Sequence, residues 1–400
     1  MGIDISYMGT KRHLAPVVAD VICRCKPGVL LDAFAGMCSV GEQVGPKRRI
    51  WSNDIQIFAA EVGRALFTSA DEPMGSIQTA DLHFDLFEEH QRKLTKMFYD
   101  ALAGEKDLLS ADSFEIFSTR KTKLSKILSS DVAKLRSRRG ALFSTTYSDN
   151  YFGLLQAIEI DSIIYSISFT HESGQISDDH KRWLILALGR ALLKIANSTG
   201  HFAEFLKPKQ STYKRFLRQR RRTLWSEWLY SIGELQPSGP QSWRRFNRSF
   251  NEDSLSLLPR LRRKKERPAV VYADPPYTDD QYSRYYHLLD TLILYDYPNV
   301  TGAGLYRPLR FQTPFSVKSK AVRAFENLIS STAALGADMV LSYPSNGLIH
   351  EAGVDPLDLL RKHFQNVKRC CSLPYSHSTF GASKGAAHSD VTELIYLATT

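Results

Sequence analysis

The stretch Asp274-Pro275-Pro276-Tyr277 combines residue types that do chemistry together. A carboxylate and a proline carbonyl stand side by side, and both accept hydrogen bonds. An exocyclic amine offers two N–H donors; held by two acceptors, its nitrogen gains electron density and becomes a better nucleophile. Tyr277 supplies a flat face for a heteroaromatic ring. This is chemistry for alkylating an amino group on a base. The ordinary alternative is a strand-to-loop turn, because Asp-Pro is a common turn starter.

The element that must carry this loop is the apolar, β-prone run Val270-Val271-Tyr272-Ala273, which reads as a strand of a parallel sheet covered on both faces. Two prolines cannot continue a central strand, so the chain leaves it as a stiff loop at the carboxyl end, where open α/β sheets bind ligands. A second such place lies near the N-terminus. Val29-Leu30-Leu31-Asp32 is a strand, and Ala33-Phe34-Ala35-Gly36 is the turn after it. The Gly-x-Gly-x-x-Gly and Walker patterns are absent, so a pyrophosphate ligand is disfavoured and a sulfonium cofactor with an amino-acid tail fits better; Gly36 lets that tail approach the backbone. Ile50 to Asp54 reads as another short strand ending in an acid, and Asp54 follows the first loop by about 20 residues, the offset at which an acid binds ribose hydroxyls. Ile77 to Asp81 reads as a third strand ending in an acid. Tyr7 to Arg12 is a Gly-containing turn with Lys11, ahead of a helix through Leu14, Val17, Val18 and Ile22.

Four hundred residues with 43% apolar content describe one large or two medium globular domains. No apolar run is long enough to span a bilayer. Five cysteines, Cys23, Cys25, Cys38, Cys370 and Cys371, match neither a disulfide framework nor a zinc site, which leads to the expectation of free thiols, a cytoplasmic location and no metal. The formal charge of +10 favours a polyanionic partner.

That charge is concentrated. Between His90 and Arg267 the β-α rhythm fades and basic clusters interrupt helical segments. Lys207 to Arg222 contains Lys214, Arg215, Arg218, Arg220, Arg221 and Arg222 and no acid, with Tyr213, Phe216 and Trp225 in or near it. Arg244 and Arg245 repeat the theme. These residues are the expected phosphate contacts, although charge runs are usually solvated faces. Arg284, in the aromatic stretch Thr278 to Asp290, joins them; that stretch either lines a pocket for an extruded base or packs a helix on the sheet. Farther on, Lys318 to Leu335 reads as a helix, Ala337 to Tyr343 as a strand, Tyr375 to Ser389 as a loop, and Val391 to Leu397 as a strand at a sheet edge.

Tyr7 to Lys11, Asp32 to Gly36, Asn53-Asp54 and Asp274 to Tyr277, in this order, resemble the motifs of the Dam-like, or alpha-class, adenine-N6 DNA methyltransferases. The resemblance covers both ends of the chain well and the middle poorly. It implies an α/β, Rossmann-like S-adenosylmethionine-dependent methyltransferase fold with a mostly parallel seven-stranded sheet and an inserted helical, basic target-recognition domain. The expected division is 1–89 and 268–400 for the methyltransferase domain and 90–267 for the insertion. Carried over by position, Tyr7, Lys11, Asp54 and Asp274 would touch S-adenosylmethionine, with Asp32 beside them at the strand end, and Phe34 and Gly36 would pack it. Asp274 and Pro275, on the stiff turn that Pro276 completes, would hold the target amine, and Tyr277 would stack on a flipped adenine. Double-stranded DNA is the implied substrate, and a cognate restriction or defence protein the implied partner. Two other readings stay open: an amino-methyltransferase acting on cytosine N4 or on RNA, and a catalytically silent DNA-binding subunit of a defence assembly. One departure is Cys38, which stands where the family's Phe-x-Gly-x-Gly loop has its second glycine.

Overall fold

A computed structural model describes residues 11–135, 139–376 and 390–400. The chain divides into two compact units, one formed by 1–70, 236–283 and 310–400 and the other by 71–235 and 284–309.

The first unit is built on one seven-stranded sheet in the order β3-β2-β1-β4-β5-β7-β6. Its strands are β1 (Leu30–Asp32), β2 (Ile50–Asn53), β3 (Arg248–Phe250), β4 (Val270–Ala273), β5 (Asp338–Pro344), β6 (Asn366–Ser376) and β7 (Asp390–Thr399). The strands from β3 to β5 pair in parallel, and β7 runs antiparallel to both β5 and β6. The central strands are short and wholly buried: every residue of β1, β2, β4 and β5 is inside. Helices on the two faces account for this, since a strand covered on both sides has no polar face to alternate with. Helix Lys318–Ala334 packs Phe325, Leu328 and Ile329 into the same apolar cluster as Leu31, Val271 and Leu341.

β1 pairs with β2 on one side and β4 on the other. The chain therefore leaves the sheet in opposite lateral directions from two adjacent strands, and a crevice opens above their carboxyl ends. Both loops singled out in the sequence, after β1 and after β4, border that crevice.

The third strand differs from the expectation. Ile77 to Asp81 lies in helix Ser76–Met97, whose inward residues Thr79, His83, Phe87, His90 and Leu94 follow helical spacing while Ile77 is 80% exposed. The strand beside β2 is instead β3, more than a hundred residues later in the chain. The expected edge strand is also corrected. β7 lies between β5 and β6, and the edge is β6, which carries Lys368, Arg369 and Pro374, all residues that sheet edges tolerate. Of the loop expected over Tyr375 to Ser389, Tyr375 and Ser376 end β6 and 377–389 lie outside the described residues.

The second unit is helical. Helix Leu154–Glu172 buries Leu154, Ile158, Ile160, Ile163, Ile164 and Ile167 nearly all round its axis, as a central helix must. Buried acids hold other helices to it. Glu105 accepts the N–H groups of Leu154 (2.6 Å) and Leu155 (2.9 Å), Glu159 accepts that of Leu224 (2.5 Å), and Asp161 accepts those of Phe143 (2.9 Å) and Ser144 (2.8 Å). The expected insertion over 90–267 thus begins earlier and ends earlier. Residues 71–89 start the helical unit, 236–267 return β3 and helix Ser254–Arg262 to the sheet unit, and 284–309 go back to the helical one.

Candidate active site

The turn after β1 is fixed by its neighbours. Ala33 N–H donates to the Tyr272 carbonyl (3.0 Å), Ala35 N–H to the Asn53 carbonyl (2.8 Å), and the Asn53 side chain to the Ala33 carbonyl (3.1 Å). Gly36 turns the chain at φ 49°, and Cys38 follows at φ 62°. Cys38 therefore adopts the left-handed backbone that glycine takes without strain, at a cost of about 1 kcal/mol. Its side chain is fully buried and stays off the cleft wall, which Met37 and Ser39 form on either side of it. The substitution adjusts the turn and does not crowd the cavity.

The loop after β4 is held by the Tyr277 carbonyl, which accepts the N–H of Leu348 at 3.1 Å. Among the described residues the Pro275 carbonyl accepts no hydrogen bond, so it remains available as an acceptor.

The two loops share one cleft of about 830 Å³, partly open to solvent. It is lined by Lys11, Asp32, Phe34, Gly36, Asp54, Asp274, Pro275, Pro276 and Tyr277, together with Ile55, Tyr282 and Phe311. Every expected cofactor and catalytic residue among the described ones is therefore brought to one place; Tyr7 lies outside the described residues. Phe34 stands edge-on to Phe315 at 5.3 Å, which anchors the floor.

The cleft is rich in carboxyl groups. Asp32 is buried, and its Oδ1 has no hydrogen-bond partner among the described residues. Burial, together with the nearby Asp274 carboxylate, pushes its pKa up to about 8, against the pull of the Phe34 N–H. Asp54 accepts the N–H of Gly36 (2.9 Å) and of Gln56 (2.8 Å), so it braces the turn while facing the cavity; burial raises its pKa to about 6 although both N–H groups oppose the shift. Asp274 is raised as well, by burial and by Glu393, with Lys11 acting against them.

Lys11 is the cation in this group. Its Nζ lies 3.1 Å from Asp274 Oδ1 and 2.8 Å from Glu393 Oε1, and 5.8 Å from the Tyr277 ring centre. Burial alone would favour the neutral amine, but the Asp274 and Glu393 carboxylates outweigh it, and the net shift is upward. Lys11 stays charged.

Glu393 was missed by sequence reasoning. It sits on β7 opposite Pro344 of β5 and is completely buried. The signal was present: an acid at an inward position of the apolar run Val391 to Leu397 is unusual unless something neutralises it. Phe311 and Tyr282 are further additions to the wall, and Tyr282 belongs to the aromatic stretch read as either pocket or packing.

The basic candidates separate. Lys214, Arg215 and Arg218 are exposed on helix Tyr213–Arg220, and Arg221, Arg222 and Arg245 are exposed too. Two are not surface groups. Arg220 is 6% exposed; its Nη2 donates to the Asn150 carbonyl (2.9 Å) and its guanidinium lies 4.7 Å from the Phe216 ring centre. Arg244 is 1% exposed, donates to the carbonyls of Ser69 (2.8 Å) and Gly239 (2.6 Å), and belongs to the sheet unit. Short backbone acceptors within reach take these guanidinium groups inward. Arg284 is half-buried beside Tyr285, its Nε without a partner.

The strand order, the single reversed strand β7 and the cleft above β1 and β4 match a Rossmann-like methyltransferase fold. Residues 259–340 match the family model of the D12 class N6 adenine-specific DNA methyltransferases. Similar proteins include the modification methylase LlaI of Lactococcus lactis subsp. lactis, 24% identical over 80% of this chain and 43% of that protein. The modification methylase StsI of Streptococcus sanguinis is 24% identical over 86% of this chain and 44% of its own length. The type II methyltransferase M.FokI of Planomicrobium okeanokoites is 29% identical over 56% and 31%. The chain spans less than half the length of these three relatives. Among the described residues no helix is long and apolar enough to cross a membrane, and no group of His, Cys, Asp or Glu could hold a metal ion.

Proposed function

We propose that the chain transfers a methyl group from S-adenosylmethionine to the N6 amine of adenine in double-stranded DNA, as the modification enzyme of a restriction-modification or phage-defence system in the cytoplasm. The observation that carries this reading is the shared cleft, in which the Asp274–Tyr277 loop and the Asp32–Gly36 turn face one cavity. The donor set fits the cofactor. An unpartnered, buried carboxylate oxygen on Asp32 suits its ammonium group, Gly36 leaves room for the amino-acid tail, and Asp54 faces the cavity as an acceptor for ribose hydroxyls. When bound, S-adenosylmethionine supplies an electrophilic methyl group.

The chain's own residues position the amine. Asp274 and the Pro275 carbonyl accept its two N–H bonds and direct the nitrogen lone pair into the cavity. Tyr277 stacks on the base once it has left the duplex. Lys11 opposes the effect of burial and favours the ionised form of Asp274. This is catalysis by orientation and fixed hydrogen bonds, with no covalent enzyme intermediate. Lys214, Arg215 and Arg218 supply phosphate contacts from the helical unit. A cognate nuclease or defence protein is the expected partner in the cell.

The test is Asp274→Ala, assayed with labelled cofactor on unmethylated genomic DNA. Methyl transfer falls by about 10²–10³-fold or more, the scale for losing a preorganised group at the reacting centre, while duplex binding is retained. Undiminished transfer by this variant removes Asp274 from the mechanism and the proposal with it.

A further inference from the structure

Glu393 is a buried acid beside the cleft that the proposed chemistry does not use. Its side chain is fully enclosed, its Oε1 takes the shorter of the two contacts from Lys11 Nζ (2.8 Å against 3.1 Å), and its Oε2 has no hydrogen-bond partner among the described residues. Lys11 donates a hydrogen bond to Glu393 and pairs with Asp274 at the longer distance. β7 is antiparallel to its neighbours, so an early residue of that strand reaches the carboxyl end of β5, beside the catalytic loop.

A buried acid that only neutralised Lys11 would be redundant, because Asp274 already does so. Placing two carboxylates on one ammonium divides its charge. The half that goes to Glu393 is withheld from Asp274, which stays a stronger hydrogen-bond acceptor than it would be in a simple pair.

We propose that Glu393 is a positioning residue of the transfer site: it draws the Lys11 ammonium towards itself and so keeps the Asp274 carboxylate electron-rich towards the target amine. This rests on the reading of the cleft as an amine-methylating site. The other groups around Asp274 are Asp32 at the end of β1, with Asp54 behind it, and Tyr272 and Tyr277 on the same strand and loop. Among the described residues the ion pairs of Lys11 are to Asp274 and Glu393, so the charge division depends on Glu393.

The perturbation is Glu393→Gln, which keeps shape and removes charge. Without the second anion Asp274 binds its proton less tightly. The acid limb of the pH–rate profile for methyl transfer then moves down by about one pH unit, and the plateau rate falls, because the acceptor is weaker. Glu393→Asp keeps the charge one methylene farther off and gives a smaller displacement in the same direction; it also serves should the glutamine variant fail to fold. A merely structural role lowers the rate and leaves the limb in place. An activity-free arm follows the Asp274 carboxyl carbon by ¹³C NMR in the full chain, where its titration midpoint falls in Glu393→Gln. If the wild-type chain methylates no adenine, the reading of the cleft has failed, and the NMR arm still decides the role of Glu393. An unmoved limb together with an unmoved midpoint overturns the inference.

Discussion

Asp32→Asn should make the cofactor-free protein more stable at pH 8 while weakening cofactor binding. In the wild type burial, then Asp274, lift the Asp32 carboxyl from 3.8 to about 8. An acid whose folded pKa lies above its unfolded one contributes its full stability below about pH 4 and loses it as the pH climbs towards about 8. About four units at about 1.4 kcal/mol each set a ceiling of about 5–6 kcal/mol for that loss. The cleft is open to water and the charge is shared with Asp274, so about 2–3 kcal/mol is expected at pH 8. Asparagine removes the charge, keeps an acceptor for the Phe34 N–H, and turns its amide towards the cleft. The assay is the thermal denaturation midpoint of both proteins, without cofactor, at pH 5 and pH 8. The variant melts roughly 5–10 °C higher at pH 8, and the gap shrinks severalfold at pH 5. Isothermal titration with S-adenosylmethionine shows at least about a tenfold loss of affinity, the scale of one charge-assisted hydrogen bond. A variant less stable than the wild type at pH 8, or a gap independent of pH, refutes the reasoning.

Cys38→Gly relieves a left-handed cysteine and loses its buried sulfur, so stability changes by about 1 kcal/mol or less and, because Cys38 is off the cleft wall, cofactor affinity in the same titration stays within about twofold. Arg220→Ala removes a buried guanidinium that faces Glu105 and costs about 3 kcal/mol, read as a lower melting midpoint, while the salt dependence of DNA binding is unchanged. Replacing exposed Lys214, Arg215 and Arg218 together by alanine leaves the melting midpoint in place and flattens the slope of log affinity against log salt by about 3.

The sheet's centre was legible because β1, β4 and β5 are mainly apolar runs that end in, or lead directly into, an acid or a proline, as strands of a parallel sheet covered on both faces do. The cleft followed from the same fact, since each of those runs delivers its terminal residues to one edge. What was not legible depended on distant chain. β3 is a three-residue segment, Arg248–Phe250, with only partial burial, and nothing local distinguishes it from a loop; Ile77 to Asp81 imitated it better. β6 reads as polar because an edge strand has only one partner to satisfy. Arg220 and Arg244 resembled their exposed neighbours in the basic runs. Their burial is set by the Asn150, Ser69 and Gly239 carbonyls, whose positions only the folded chain defines. Glu393 was visible as an acid inside an apolar strand, but its partner Lys11 lies 382 residues away.

The central claim is that the acceptor pair at Asp274 and Pro275 presents an adenine amine for methylation. The most direct measurement is to incubate the purified chain with labelled S-adenosylmethionine and unmethylated duplex DNA, digest the product to nucleosides, and identify the labelled one by mass spectrometry. N6-methyldeoxyadenosine is the expected product. Label on N4-methyldeoxycytidine, or no labelled nucleoside from a chain that binds both cofactor and DNA, contradicts the account.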